Sequence, residues 1–66
     1  MNLNRLKGVL TEKGKTYEDC AKALGISAVA FNSKMNGRTR FYVPELLELL
    51  EFLELTRDEK VRIFLD

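Results

Sequence analysis

A helix-ending signal and a helix-starting signal lie only two positions apart in this chain, at Gly25 and Ser27. Glycine readily takes the left-handed conformation that ends a helix, and serine is among the preferred caps at a helix start. With Ile26 as the single residue between them, two helices must meet in a tight turn and cross at a steep angle, and Ala21 is small where they would cross. Residues 16–37 therefore predict a helix, a tight turn and a second helix.

Both helices of this unit have their own boundaries and apolar faces. Thr16, with Asp19 three residues later, predicts a capped start for the first helix. The second helix has Phe31 and Met35 on its inward side, four residues apart, and the Asn-Gly pair at 36–37 closes it. The inward face of the first helix is formed by Tyr17, Cys20, Ala21 and Leu24.

Three further helices are predicted outside this unit. The first covers about Leu3–Lys13 and is followed by a glycine, which ends it. Pro44 opens another, because proline is favoured in the first turn of a helix. Thr56 and Glu59 form a capping box for the last, which covers about Arg57–Leu65. The sequence therefore predicts an all-α fold, a compact domain of five short helices.

The segment after Pro44 carries more apolar residues than one buried stripe requires. This surplus predicts an exposed apolar patch and, through it, a weak homodimer of the C-terminal helices. The alternative, which the sequence leaves open, is a scatter of exposed apolar side chains. The core is expected to contain Leu46, Leu47, Leu50, Leu53, Val61, Phe64 and Leu65. The patch is expected to contain Leu49, Phe52 and Ile63.

Composition narrows the class of protein. The chain has 66 residues, of which 45% are apolar, so residues 1–66 are expected to form one small globular domain. It has no histidine and a single cysteine, Cys20, which lies on a predicted buried face. Zinc sites built from histidine and cysteine are therefore excluded, as are catalytic triads that need an imidazole. We expect no catalytic residue, cofactor, metal or small-molecule ligand.

Two kinds of targeting segment are missing from the sequence. No stretch is long and apolar enough to cross a bilayer, so no membrane partner is expected. The first residues, MNLNRLKG, lack the apolar region of a secretory signal. The expected location is the cytoplasm.

Charge is divided unevenly along the chain. Residues 1–40 hold eight lysines and arginines against three acids, a balance of +5. Residues 41–66 hold three against seven, a balance of −4. Because the basic half contains the predicted helix–turn–helix, a polyanion is the expected partner of that half.

Residues 16–37 resemble the DNA-binding core of the Cro and phage-repressor family, also called the XRE family. The order of elements, with one helix before this core and two after it, is also similar to that family. The resemblance implies a lambda-repressor-like fold and a transcriptional regulator of the phage or prophage repressor type, which binds double-stranded DNA sequence-specifically. The residues that carry the resemblance are Ala21, Gly25, Ile26, Phe31, Asn36 and Gly37.

In a DNA-binding helix–turn–helix, the first turns of the second helix lie nearest the base edges of the major groove. Asn32 is the best candidate for a specific hydrogen bond, because asparagine can pair bidentately with adenine. Ala28 and Val29 would suit thymine methyl groups, although the sequence leaves open that Val29 packs into the core. The residues predicted at base edges are Ser27, Ala28, Val29, Asn32 and Ser33.

A second group of residues is predicted to contact phosphate. Arg38 and Arg40 follow the second helix directly, and the turn at Asn36 exposes backbone N–H groups beside them. Tyr17 stands where the family often has a glutamine that touches phosphate, and residues 28–30 stand where it often has glutamine, serine or arginine. The residues predicted at phosphates are Tyr17, Lys34, Asn36, Arg38 and Arg40.

One short helix reads few base pairs, so a two-fold homodimer on a palindromic operator is expected. The alternative function is a protein-interaction module that keeps the helix–turn–helix fold and does not bind DNA. Two features allow it: the side chains at 28–30 form no hydrogen bonds, and the C-terminal half is acidic. An enzyme is not expected, because the four glutamates between 45 and 54 are spread too regularly along one helix to form a catalytic pair.

Overall fold

The structure is a computed structural model that describes residues 1–65. Within that range it contains five α-helices and no β-strand. The predicted all-α fold of five short helices is therefore confirmed. None of the helices is long and apolar enough to cross a membrane. They are α1 (Leu3–Glu12), α2 (Tyr17–Leu24), α3 (Ala28–Met35), α4 (Val43–Phe52) and α5 (Arg57–Leu65).

Local hydrogen bonds set the limits of α2 and the start of α3, as predicted. Asp19 N–H donates to Thr16 Oγ1 at 3.1 Å and Thr16 N–H donates to Asp19 Oδ2 at 3.0 Å, which completes a capping box. Gly25 ends α2 with a φ of 69°, a left-handed conformation that glycine adopts without strain. Ser27 then caps α3, because its Oγ accepts a hydrogen bond from Ala30 N–H at 3.0 Å. Three residues therefore join the two helices.

α4 ends before its apolar sequence does. Its last helical residue is Phe52, and Glu54 takes a φ of 53°. A left-handed residue just beyond the cap is a common way to stop a helix, although glycine is the usual choice. Thr56 and Glu59 then form a second capping box, with N–H···O distances of 2.9 and 3.2 Å. α5 consequently starts at the predicted residue.

One hydrophobic core joins the five helices. α2 packs against α3 and α4, and α1 packs against α5. The backbone N–H of Asn2 donates to the carbonyl of Ile63 at 2.7 Å, which ties the residue before α1 to α5. The buried apolar residues are Leu6, Val9, Leu10, Cys20, Ala21, Phe31, Met35, Leu46, Leu49, Leu50, Leu53, Leu55 and Ile63.

The predicted division of α4 between core and surface is wrong for Leu47 and Leu49, and Phe52, which is expected in the outer patch, is partly buried against the core. Leu49 is fully buried, whereas Leu47 is 57% exposed. Leu46, Leu49, Leu50 and the following Leu53 recur at i, i+3, i+4 and i+7, which forms one helical stripe. Leu47 lies about 100° around the helix from Leu46 and therefore falls outside that stripe.

The predicted inward and outward residues of α5 are also exchanged. Ile63 is fully buried, whereas Val61, Phe64 and Leu65 are exposed. Ile63 is the one buried residue of α5, so this helix contributes a single fully buried side chain to the core and the neighbouring positions turn away. The exposed apolar patch of α5 consists of Val61, Phe64 and Leu65, and we call it the α5 patch.

Candidate nucleic-acid interface

Phe31 fixes the orientation of α3 in the fold. Its side chain is fully buried and lies between two other aromatic rings. The ring of Tyr17 meets it edge to face at a centroid distance of 5.4 Å, and the ring of Phe41 does so at 5.9 Å. One ring comes from the start of α2 and the other from the segment after α3. This stack determines which side of α3 faces the solvent.

The outward side of α3 carries small and uncharged side chains. Ala28, Val29 and Asn32 are exposed, and Ser33 is half-buried. Val29 is 77% exposed, so the alternative in which it packs into the core is wrong. Successive residues of a helix are about 100° apart, which places Val29 nearly opposite the buried side of α3. Asn32 lies about 60° around the helix from Val29. The predicted base-edge residues of α3 therefore share one accessible face.

Two of the polar side chains on this face already have partners within the protein. The hydroxyl oxygen of Ser27 accepts from Ala30 N–H, as the cap requires. The amide Nδ2 of Asn36 donates to Oδ1 of Asn32 at 3.3 Å. The second bond orients the Asn32 amide and leaves its Nδ2 donors without a partner among the described residues. Asn36, which was predicted at phosphate, thus lies one helical turn from Asn32 and supports it.

The segment after α3 is held back against the end of that helix. Gly37 has a φ of 79°, which allows the chain to reverse. Arg38 N–H then donates to the carbonyl of Ser33 at 3.0 Å. The side chains of Arg38 and Arg40 are exposed. Within the described part of the chain neither guanidinium makes an ion pair, so both are available to an anion.

Lys34 is not the surface residue that its predicted phosphate contact requires. It is only 8% exposed, because α3 turns it inward. Its Nζ donates to Glu45 Oε1 at 2.9 Å and to the carbonyl of Arg40 at 3.1 Å. It also lies 4.9 Å from the ring centre of Tyr42, a cation–π distance. We therefore omit Lys34 from the interface and assign it a positioning role.

Glu45 completes this arrangement at the start of α4. The same Oε1 accepts from Tyr42 N–H at 2.9 Å. That backbone hydrogen bond, followed by the contact with Lys34, lowers the pKa of Glu45. Lys34 and Glu45 are eleven positions apart, and no periodic pattern in the sequence joins them. Their ion pair holds the segment that carries Arg38 and Arg40 against α3.

Tyr17 and Cys20 differ in what they offer to a partner. The ring of Tyr17 is half-buried against Phe31, and its hydroxyl makes no hydrogen bond within the described residues.

Cys20 is fully buried, and burial raises the pKa of its thiol to about 11, with a smaller contribution from the charge of Asp19. The thiol is protonated at neutral pH and is a poor nucleophile.

No group of three or more cysteine and acidic side chains in the part of the chain that the structure describes is placed to hold a metal ion. No protein-family model, curated protein or solved structure matches this chain. Function is therefore argued below from the geometry of α3 and the residues that follow it.

Proposed function

We propose that this protein binds double-stranded DNA sequence-specifically, with α3 in the major groove, and acts as a transcriptional regulator. The observation that carries the proposal is the accessible face of α3, with two unpaired arginines directly beyond its end. The major groove is about 12 Å wide and admits an α-helix. Small side chains at the start of α3 allow the helix to approach the base edges closely.

Electrostatics support the same orientation. α3 contains no acidic residue, so its outward face does not repel phosphate. Glu45 lies beside the segment that carries the two arginines, and its charge is compensated by Lys34 at 2.9 Å. Arg38 and Arg40 supply the positive charge that phosphate contacts need. Asn32 supplies the base-specific hydrogen bonds, and the Tyr17 hydroxyl is a further donor to the backbone.

This proposal includes membership of the Cro and phage-repressor family, a regulatory role of the repressor type and a cytoplasmic location. It assigns no catalytic step to the protein. The competing function is a protein-interaction module, favoured by the exposed apolar side chain of Val29. A binding measurement with duplex DNA distinguishes these two functions. An interaction module that does not bind DNA gives no complex with the duplex even at low salt.

Arg38→Ala is expected to reduce the salt dependence of DNA binding. Wild-type protein is first used to select sites from random duplexes, and its affinity for the selected site is then measured between 50 and 200 mM salt, a range in which phosphate-dependent binding falls steeply. Removing one phosphate contact should reduce the slope of log K against log salt by about 1 and weaken all sequences alike.

Two control variants make this result specific. Arg5 is exposed on α1, outside both the proposed DNA interface and the α5 patch, and Arg5→Ala should leave the slope unchanged. Asn32→Ala should keep the wild-type slope and cost about 1–3 kcal/mol on the selected site, with relaxed choice at one base pair. Equal slopes for wild type and Arg38→Ala would remove Arg38 from the interface. Absence of any complex at low salt would reject DNA binding.

A homodimer is part of the proposed function. α3 has eight residues and is roughly 12 Å long, so one copy spans only three or four base pairs at about 3.4 Å each. The domain measures 29 × 22 × 20 Å. Two copies side by side can therefore place their α3 helices in successive major grooves about 34 Å apart. We place the contact at the α5 patch, which replaces the predicted patch of Leu49, Phe52 and Ile63.

Phe64→Glu is expected to prevent two copies from binding one palindromic duplex cooperatively. The substitution places a charge in the centre of the α5 patch, where it would be buried without a partner. Sedimentation with a palindromic duplex should give two wild-type chains per duplex and a much weaker second step for Phe64→Glu. Leu47→Glu, at an exposed leucine on α4, is the control and should behave as wild type. One wild-type chain per duplex at saturation would refute the dimer.

A further inference from the structure

Val29 is the most prominent side chain on the outward face of α3. It is the second residue of the helix and is 77% exposed. Its neighbour Ala28 is exposed as well. The hydroxyl oxygen of Ser27 is already occupied by the cap bond to Ala30 N–H at 3.0 Å. Apart from the Ser27 hydroxyl, the exposed side chains at the start of α3 therefore offer methyl groups to a partner and not hydrogen-bonding groups.

Only one kind of group on the floor of the major groove is apolar. It is the methyl group at C5 of thymine, whereas the other groups displayed there are hydrogen-bond donors and acceptors. 5-Methylcytosine carries the same methyl group at the same ring position. An exposed isopropyl group in contact with such a methyl removes apolar surface of both partners from water, and this stabilises the complex.

We infer that Val29 recognises a C5-methylated pyrimidine, so that binding depends on the methyl group itself and not only on the base pair. The inference rests on the proposed function, since it requires α3 to lie in the major groove. It extends that function by naming the chemical group that the first turn of the helix reads.

The position of Asn32 restricts where the methylated pyrimidine lies. Asn32 follows Val29 by three residues, which is about 4.5 Å along the helix axis. Base pairs along a strand are about 3.4 Å apart. The two side chains also lie within about 60° of one another around α3. The methylated pyrimidine is therefore expected one or two base pairs from the adenine that Asn32 contacts.

The test uses the full chain and a duplex that carries its selected site. Each thymine is replaced in turn by deoxyuridine, which keeps base pairing and removes only the methyl group. At one thymine per half-site, the wild-type affinity should fall about fourfold, the value for burial of one methyl group. Replacing that T·A pair by C·G should weaken binding further, and 5-methylcytosine at the same position should recover about fourfold.

Val29→Ser provides the matched protein variant. Serine and valine have about the same helix propensity, and unchanged thermal unfolding confirms that the variant is folded. Val29→Ser should bind the thymine duplex and the deoxyuridine duplex with equal affinity. Val43→Ser changes another exposed valine, at the start of α4, and should keep the fourfold preference.

The outcomes separate this inference from the proposed function. If wild type binds its site but does not distinguish thymine from deoxyuridine at any position, DNA binding stands and methyl recognition by Val29 is overturned. If wild type distinguishes them and Val29→Ser does so equally, another side chain reads the methyl group and the inference also fails. If no duplex is bound at low salt, both fail together.

Discussion

Glu45→Gln should lower the free energy of unfolding by about 2–3 kcal/mol, one of the two largest effects expected in this protein. Breaking a fully buried ion pair costs about 3–5 kcal/mol, because the remaining charge stays buried without a partner. Here the side chains of Lys34 and Glu45 are 9% and 19% exposed, so water screens part of the loss. For a domain of this size such a loss is a large share of its total stability.

The structure contains a matched control for this substitution. Glu59 caps α5 as Glu45 caps α4, since its Oε1 accepts from Thr56 N–H at 2.9 Å. Its lysine partner, Lys13, is 3.9 Å away, and both side chains are more exposed than those of the buried pair. Glu59→Gln should therefore cost less than Glu45→Gln. Urea unfolding of both variants measures the difference, and equal losses would show that the pair adds nothing beyond the cap.

A second comparison isolates the buried charge. Lys34→Met combined with Glu45→Gln removes both charges and keeps the volume of the lysine stem. The double variant should recover most of the stability lost by Glu45→Gln alone, because replacing a buried pair by apolar groups is often close to neutral. If the double variant is less stable than Glu45→Gln, the uncompensated charge of Lys34 is not the cause of the loss.

The stability lost in Glu45→Gln should also depend on pH, because the Glu45 carboxylate titrates. Hydrogen bonding by Tyr42 N–H and then the contact with Lys34 lower the pKa of Glu45 from its ordinary value of 4.5. Because the pKa is lowered in the folded state, the stabilisation by Glu45 is complete above its ordinary pKa. This stabilisation is lost as the pH falls through the pKa of the folded state. Glu45→Gln should consequently differ most from wild type near neutral pH and least in acid.

Leu49→Ala should destabilise the protein by about 3 kcal/mol, whereas Leu47→Ala should change its stability by less than about 0.5 kcal/mol. Leu49 is fully buried, and truncating it leaves a cavity in the core. Leu47 is 57% exposed and loses little apolar contact. The two leucines are two positions apart on α4, so helix propensity is the same for both substitutions and only burial differs.

Urea unfolding monitored by circular dichroism measures this pair of variants. The slope of the unfolding free energy against urea concentration should be the same for both variants. A difference between their unfolding midpoints then reports a difference in stability directly. A loss from Leu47→Ala that equals the loss from Leu49→Ala would contradict the orientation of α4 described above. It would also return Leu47 to the core position that the sequence pattern first indicated.

The sequence by itself determined both limits of α2 and the starts of α3 and α5. The capping bonds of Thr16 and Ser27 join residues three positions apart, and the left-handed turn at Gly25 depends on one residue. Signals of this range are readable along the chain because no distant partner takes part in them. The predicted face of α3 follows from the same local geometry, since the positions of Phe31 and Met35 set which side turns inward.

Only the tertiary structure decided which surfaces of the later helices are covered. The sequence shows that α4 and α5 are rich in apolar residues, but burial depends on where the neighbouring helices lie. Ile63 is buried because α5 packs against α1, and the Ile63 carbonyl accepts from Asn2 N–H just before that helix. Lys34 is buried because the segment after α3 folds back and brings Glu45 to its ammonium group. Lys34 and Glu45 are eleven positions apart, and no helical periodicity in the sequence predicts a contact between them. Only the packed fold brings the two charges together.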